Sequence, residues 1–205
     1  MTEPAFKTLA DVEPEEVEWF WEPFIPYRML TIMEGDPGIG KSYVTMHIAA
    51  LASTGGRLPN GERLARQSVL YFSVEDDPAF TIRPRIDAMG GDPDRIRFQA
   101  KYCPFDDRGL KEARREVKES KPGLIVIDPL YSYVPADTEI YRPNQIRQLL
   151  GELNDLAVQS NAAVLVIRHL TKAKHDKAIY QGAGSIDVIG VARSALLVGE
   201  DPDGS

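Results

Sequence analysis

The sequence predicts an α/β fold built on a mostly parallel central sheet with helices on both faces. Three observations carry that prediction. The runs Leu124–Ile127 and Ala163–Ile167 are apolar at every position, as expected of strands buried on both faces. Such runs alternate with stretches whose apolar residues recur at helical spacing, the order that produces crossovers between parallel strands. Finally, the strand-like run Met29–Met33 passes into a glycine-rich octapeptide and then into a helical pattern, with Val44, Ile48, Leu51 and Ala52 on one face. The chain has 205 residues, of which 43% are hydrophobic, enough for one domain with a substantial core.

Taken in order, residues 1–18 are acidic, with Glu3, Asp11, Glu13, Glu15, Glu16 and Glu18, and read as a loosely held arm ahead of a domain over 19–205. Trp19, Phe20, Trp21, Phe24 and Ile25 form an aromatic cluster cut by Pro23 and Pro26. It suits a flap packed on the sheet edge, or an anchor onto a neighbouring subunit, where aromatic residues are enriched. Residues 54–67 are a loop by their glycines and Pro59. Val69–Val74 is a strand ending on Glu75-Asp76-Asp77-Pro78. A helix over 79–89 carries Ile82, Ile86 and Met89 on one face, with Pro84 tolerated near its first turn. A short strand follows near 95–100 and a helix near 108–119, marked by Leu110, Ala113 and Val117.

Leu124–Asp128 is a strand ending on a carboxylate. Residues 131–144 read as a long loop and 143–159 as a helix with Ile146, Leu149, Leu150, Leu153 and Ala157 inward. The strand 163–167 runs into Arg168-His169, a basic glycine-containing loop covers 171–184, and Ala195–Val198 is the last strand. The sequence stops in a turn-like Asp201–Ser205, as expected of a longer natural protein or a trimmed domain.

Composition narrows the function. No apolar run approaches the length of a membrane span, and Met1–Pro4 does not begin a signal peptide. The single Cys103 rules out an internal disulfide and a cysteine-based zinc site, and a cytoplasmic setting is the simple expectation. The net charge of −7 argues against a wholly basic nucleic-acid surface, yet leaves room for a small basic loop facing phosphates.

Gly35-Asp36-Pro37-Gly38-Ile39-Gly40-Lys41-Ser42 fits the P-loop pattern, with Tyr43 next in the same cradle. Backbone N–H groups and the positive end of the following helix dipole converge there on phosphates. Lys41 reaches the β- and γ-phosphates and Ser42 offers a hydroxyl to Mg²⁺. Asp128, after four apolar residues, suits the acid that holds Mg²⁺ directly or through water, although a strand-end Asp can also cap the next turn. Glu75, at the end of the next strand, is placed to orient an attacking water. With Asp76 and Asp77 beside it, an acidic turn opening the 79–89 helix is the alternative. Parallel sheets bind ligands at the C-terminal ends of their strands, so Glu75, Asp128 and His169 can share one rim with the P-loop.

The order Gly35–Ser42, Tyr71–Pro78, Arg83-Pro84-Arg85, Ile125–Leu130, Arg168–Lys172, Gly182–Ser185 and then Arg193 resembles the RepA-type branch of RecA-like ATPases. That branch contains hexameric plasmid helicases and phage ATPases. The resemblance covers about residues 19–200. It implies a RecA-like sheet in which the 163–167 strand lies between the Asp128 strand and the P-loop strand. It implies ATP and Mg²⁺ as ligands, Glu75 as the group that activates water, Arg85 stacked on adenine, and His169 as a γ-phosphate sensor. It also implies Arg193 as an arginine finger acting on a neighbouring subunit, within a homo-oligomer, a hexamer by analogy.

The loop 171–183, with Lys172, Lys174, His175 and Lys177, would then face single-stranded DNA in a central channel. Tyr180 is its only aromatic, and Tyr131, Tyr133 and Tyr141 offer a second set for stacking on bases. The implied work is helicase or translocase action in plasmid or phage replication or recombination. A regulatory ATPase that switches protein partners would carry the same motifs. Arg168 departs from the family, standing where the helicase has a second histidine, and the helicase carries further strands beyond residue 205.

Overall fold

The computed structural model describes residues 6–135, 143–169 and 189–200. Its centre is a six-stranded sheet in the order β5-β4-β6-β7-β3-β8, with every neighbouring pair parallel. The strands are β3 (Leu30–Gly35), β4 (Val69–Ser73), β5 (Ile96–Phe98), β6 (Leu124–Asp128), β7 (Ala163–His169) and β8 (Ser194–Leu197). The inner four are buried over almost their whole length, which is why their sequences lack polar alternation. β7 separates β6 from β3, the arrangement the resemblance implied.

Side chains alternate across the sheet, so each strand feeds two cores. One holds Leu30, Ile32, Ile125, Ile127, Val164 and Val166, covered by α3 (Asp107–Ser120) and α4 (Pro143–Ser160). The other holds Met33, Tyr71, Leu124, Val126, Leu165 and Ile167, covered by α1 (Lys41–Thr54) and α2 (Arg83–Ala88). Helix α3 starts where Asp106 accepts a hydrogen bond from the Gly109 N–H at 2.8 Å, and it buries Leu110, Ala113 and Val117 as its spacing predicted.

Three expectations need correction. The aromatic cluster forms a small antiparallel pair, β1 (Trp19–Trp21) and β2 (Ile25–Pro26), that does not sit on the sheet edge. β2 meets the central strands β3 and β7, and Phe20 and Ile25 are buried beside Met33 and Ile167. The Arg28 N–H donates to the Ala162 carbonyl, tying the pair's exit to the start of β7. The described part of the acidic arm is exposed throughout, with Glu15 bridged to Arg28 at 2.7 Å.

Second, the 79–89 helix is two pieces: a π-helical turn over Pro78–Ile82 running into α2. Third, the stretch read as a loop from 131 begins within a 3₁₀ turn, Leu130–Tyr133. There Tyr133 is fully buried and stacked on Phe105 at 5.0 Å, with Phe72 edge-on at 5.9 Å. Tyr133 is therefore core rather than a channel residue, and Tyr131 packs partly buried against the same core. Tyr141 lies outside the described residues.

Candidate active site

β3 delivers the chain at its C-terminal end into the loop Asp36–Gly40, and α1 begins at Lys41. Gly38 and Gly40 adopt left-handed φ values of 83° and 97°, which side chains rarely tolerate. Gly35 is needed for space: a Cβ there would lie 2.5 Å from the Val198 carbonyl oxygen. No side chain caps α1, so the N–H groups of its first turn are left to whatever anion the loop receives. Lys41 is buried, and its Nζ donates to the carbonyls of Gly35 (2.8 Å) and Asp36 (2.7 Å). Burial lowers its pKa, while Asp128, Asp36 and Glu75 pull the other way. An ammonium spending its protons on loop carbonyls can exchange those bonds for phosphate oxygens.

Asp128 closes β6 and is buried, with burial raising its pKa above the ordinary carboxylate value. Its partners are hydroxyls: Ser42 hydrogen-bonds it from α1, and Tyr71 OH donates to Oδ2 at 3.3 Å from β4. One carboxylate and one hydroxyl at the foot of a phosphate cradle are a donor set that fits Mg²⁺; Asp128 and Ser42 would hold it, and it would offset phosphate charge. The glycine cradle, the uncapped helix start and Lys41 suit the nucleotide in the same way.

β4 and β6 run in register with Ser73 opposite Asp128, so Glu75 stands just beyond Asp128 on the same rim. The neighbouring acids have other work. Asp77 caps the π-helical turn, accepting from the N–H groups of Ala79 and Phe80 at 2.8 Å each. Asp76 faces Arg85 at 3.8 Å. That leaves Glu75 out of the cap, half-exposed, with its Oε2 3.8 Å from His169 Nε2. His169 itself pairs in register with Gly35, and its Nδ1 is buried without a hydrogen-bond partner among the described residues. Lys41, Ser42, Asp128, Glu75 and His169 therefore meet on one rim.

Arg85 is half-exposed on α2, held toward Asp76, and Tyr43 is exposed on the first turn of α1. Arg193 does not join this rim. Its N–H donates to the Leu30 carbonyl at the start of β3, and Ser194 pairs with Thr31. At a rise of about 3.3 Å per residue, the five steps from Leu30 to Gly35 put it roughly 16 Å below its own P-loop. The basic loop 171–183, with Lys172, Lys174, His175, Lys177 and Tyr180, lies outside the described residues. A cavity of about 770 Å³ between β5 and α3 contains none of the site residues.

Two features escaped sequence reasoning. Tyr71 and Thr45 form a buried hydroxyl contact under Asp128, and the only trace of it was one polar aromatic in an apolar strand. Glu34, just before Gly35, forms a buried ion pair with Arg168 across β3 and β7.

The AAA domain family model matches residues 3–175, most of the chain. This chain belongs to that family. It is an RecA-like P-loop domain of ATPase type. Relatives are proteins named DNA repair protein RadA. The one from Streptococcus pneumoniae (strain ATCC BAA-255 / R6) is 26% identical over 70% of this chain and 30% of its own length. That from Streptococcus pyogenes serotype M1 is 27% identical over 70% and 28%, and that from Bacillus subtilis (strain 168) 23% identical over the same shares. The chain thus spans less than a third of the length of these curated relatives. Among the described residues no helix is long and apolar enough to cross a membrane.

Proposed function

We propose that this domain binds Mg-ATP and hydrolyses it at interfaces between copies of itself in a ring, a hexamer by the RepA-type resemblance. The cycle drives translocation on single-stranded DNA, or its remodelling, in plasmid or phage replication or in recombination. One observation carries the reading: Lys41, Ser42, Asp128, Glu75 and His169 share a rim while Arg193 sits at the far end of the same sheet. An exposed arginine so far from its own phosphates is free to serve a neighbour's nucleotide, where it would offset transition-state charge. Glu75, outside the helix cap, takes the water's proton or orients the water. Arg85 and Tyr43 flank the nucleotide, with Arg85 against the adenine. The relatives' name, a DNA repair protein, supports work on DNA, which the 171–183 loop would contact.

The test is ATP turnover with and without single-stranded DNA, on wild type and Arg193→Ala. Turnover that DNA stimulates and Arg193→Ala abolishes supports the reading. Turnover indifferent to DNA moves the protein to the rival, an ATPase switching protein partners. Mixing inactive Lys41→Ala and Arg193→Ala chains should restore part of the activity, because a mixed interface pairs an intact P-loop with an intact finger. No recovery would count against a finger acting in trans.

A further inference from the structure

Beneath the metal face of the site lies a small polar cluster enclosed in the core. Tyr71 is fully buried in the middle of β4. Its hydroxyl is 2.9 Å from Thr45 Oγ1 and 3.3 Å from Asp128 Oδ2. Thr45 is fully buried too, and lies three residues after Ser42 on α1, where its Oγ1 also donates to the Ser42 carbonyl at 3.0 Å. Three elements that the sequence holds far apart, α1, β4 and β6, are thereby joined by three oxygens.

The core to which Tyr71 belongs is otherwise apolar, with Val69, Met46, Leu124 and Val126 in the same buried cluster. A phenylalanine at 71 would fill nearly the same volume without placing a hydroxyl in an apolar layer. Burying a hydroxyl costs free energy unless it is hydrogen-bonded, so its oxygen is there for the bonds it makes.

We propose that Tyr71 is a positioning residue for the metal site: it holds Asp128 Oδ2 inward, fixes the carboxylate's rotation, and leaves Oδ1 for the cation beside Ser42. Tyr71 has one proton and two acceptors within reach. An ionised carboxylate is the stronger acceptor, so the Tyr71 proton goes to Oδ2, and Thr45 donates its own to the Tyr71 oxygen, shared with the Ser42 carbonyl. A phenol keeps its proton near neutral pH, so the hydroxyl is a donor there. Thr45 completes the clasp by tying Tyr71 to the helix that carries Ser42. Both metal-side groups are then set by one buried network, as outer partners commonly set metal ligands.

This inference rests on the Mg-nucleotide reading, and the experiment separates the two. Tyr71→Phe removes one oxygen and little volume. The measurement is Mn²⁺ binding by electron paramagnetic resonance to the protein with ADP, beside ADP affinity without metal and the unfolding temperature. The expected result is a Mn²⁺ Kd raised about 10-fold or more, within the range seen for outer-partner changes, with metal-free ADP affinity unchanged. Thr45→Val should shift Mn²⁺ affinity in the same direction by less, and it covers the case in which Tyr71→Phe does not fold. Wild-type Mn²⁺ uptake matched by both variants overturns the positioning role alone. A wild type that binds ADP but no Mn²⁺ beside it overturns the metal reading and this inference together.

Discussion

Two carboxylates close two strands of the same sheet, and they are buried in opposite ways. Asp128 ends β6 and Glu34 stands one residue before the end of β3, with β7 between them. Alternation along each strand puts Glu34 on the α3–α4 face with Leu30 and Ile32, and Asp128 on the α1 face with Leu124 and Val126. Burial is the largest influence on both, and raises both pKa values. Their partners differ. Glu34 has its countercharge built in, the guanidinium of Arg168, itself fully buried. Asp128 is held by hydroxyls, which fix its position without cancelling its charge. A carboxylate hydrogen-bonded by hydroxyls, whose neighbouring ammonium, Lys41, is bonded to loop carbonyls, keeps room for a cation from outside; one with an arginine against it is complete already. The contrast separates the acid proposed to hold the metal from the one paired within the fold, although burial alone makes them look alike.

The largest effect should come from breaking the closed pair. Arg168→Ala strands a buried carboxylate, and Glu34→Ala takes the paired carboxylate from a buried guanidinium. Each should cost about 3–5 kcal/mol of unfolding free energy in urea titrations. Replacing both by methionine should recover most of that loss, because the desolvation of both charges is removed with their attraction. If Arg168→Ala cost less than about 1 kcal/mol, the pair would be no more than a surface-type contact and the contrast with Asp128 would collapse.

Asp128→Asn should act the other way on the metal-free protein. It removes a charge that burial penalises and keeps the shape, so the protein without ligand should unfold at a higher temperature than wild type. Mg-nucleotide should then stabilise wild type and give the variant far less. A metal-free variant less stable than wild type would mean that the protein itself supplies the missing countercharge.

The same contrast has a pH signature. The native Asp128 carboxyl holds its proton to a higher pH than the unfolded one, whose ordinary value is 3.8. Between that value and the raised native one, the folded state binds more protons, so this group's contribution to stability falls as pH rises. Glu34 contributes with the same sign from its ordinary 4.5 upward. In urea titrations from about pH 4 to 7, Asp128→Asn should therefore gain on wild type as pH rises and level off once the native carboxyl has ionised. A gap independent of pH would show that Asp128 is ionised throughout, with no penalty from burial.

Much of this was legible in the sequence, unevenly. The strands and helices lie within a few residues of their expected places because apolar runs and helical spacing record burial directly. The strand order does not follow from pattern, since any fully apolar strand suits any central place; only the family resemblance put β7 between β6 and β3. Composition misled at Tyr133, where tyrosine between Ser132 and Pro135 reads as loop while stacking on Phe105 makes it core. Glu34 and Arg168 were illegible for a related reason. A polar residue at a strand end reads as a rim residue, and only the register that sets the two side by side reveals that they bury each other. Asp77 was half legible: an acidic cluster before a helix promises a cap, but which acid takes the role depends on backbone geometry.

The smallest effect on stability should belong to the acid with the largest proposed role. Glu75 is more than half exposed, and its contact with His169 is long at 3.8 Å, an interaction of the kind worth about 0–1 kcal/mol. Glu75→Gln should therefore leave the unfolding temperature within about 2 °C of wild type, and leave ATP affinity intact. Turnover should fall about 10²–10⁴-fold, the usual contribution of a positioned base. With those outcomes the three acids would form a series: Glu34 for the fold, Asp128 for fold and metal in opposite senses, Glu75 for the chemical step. Full turnover in Glu75→Gln would break that series at its functional end, and the base would have to be sought in another group on the rim, with His169 the nearest.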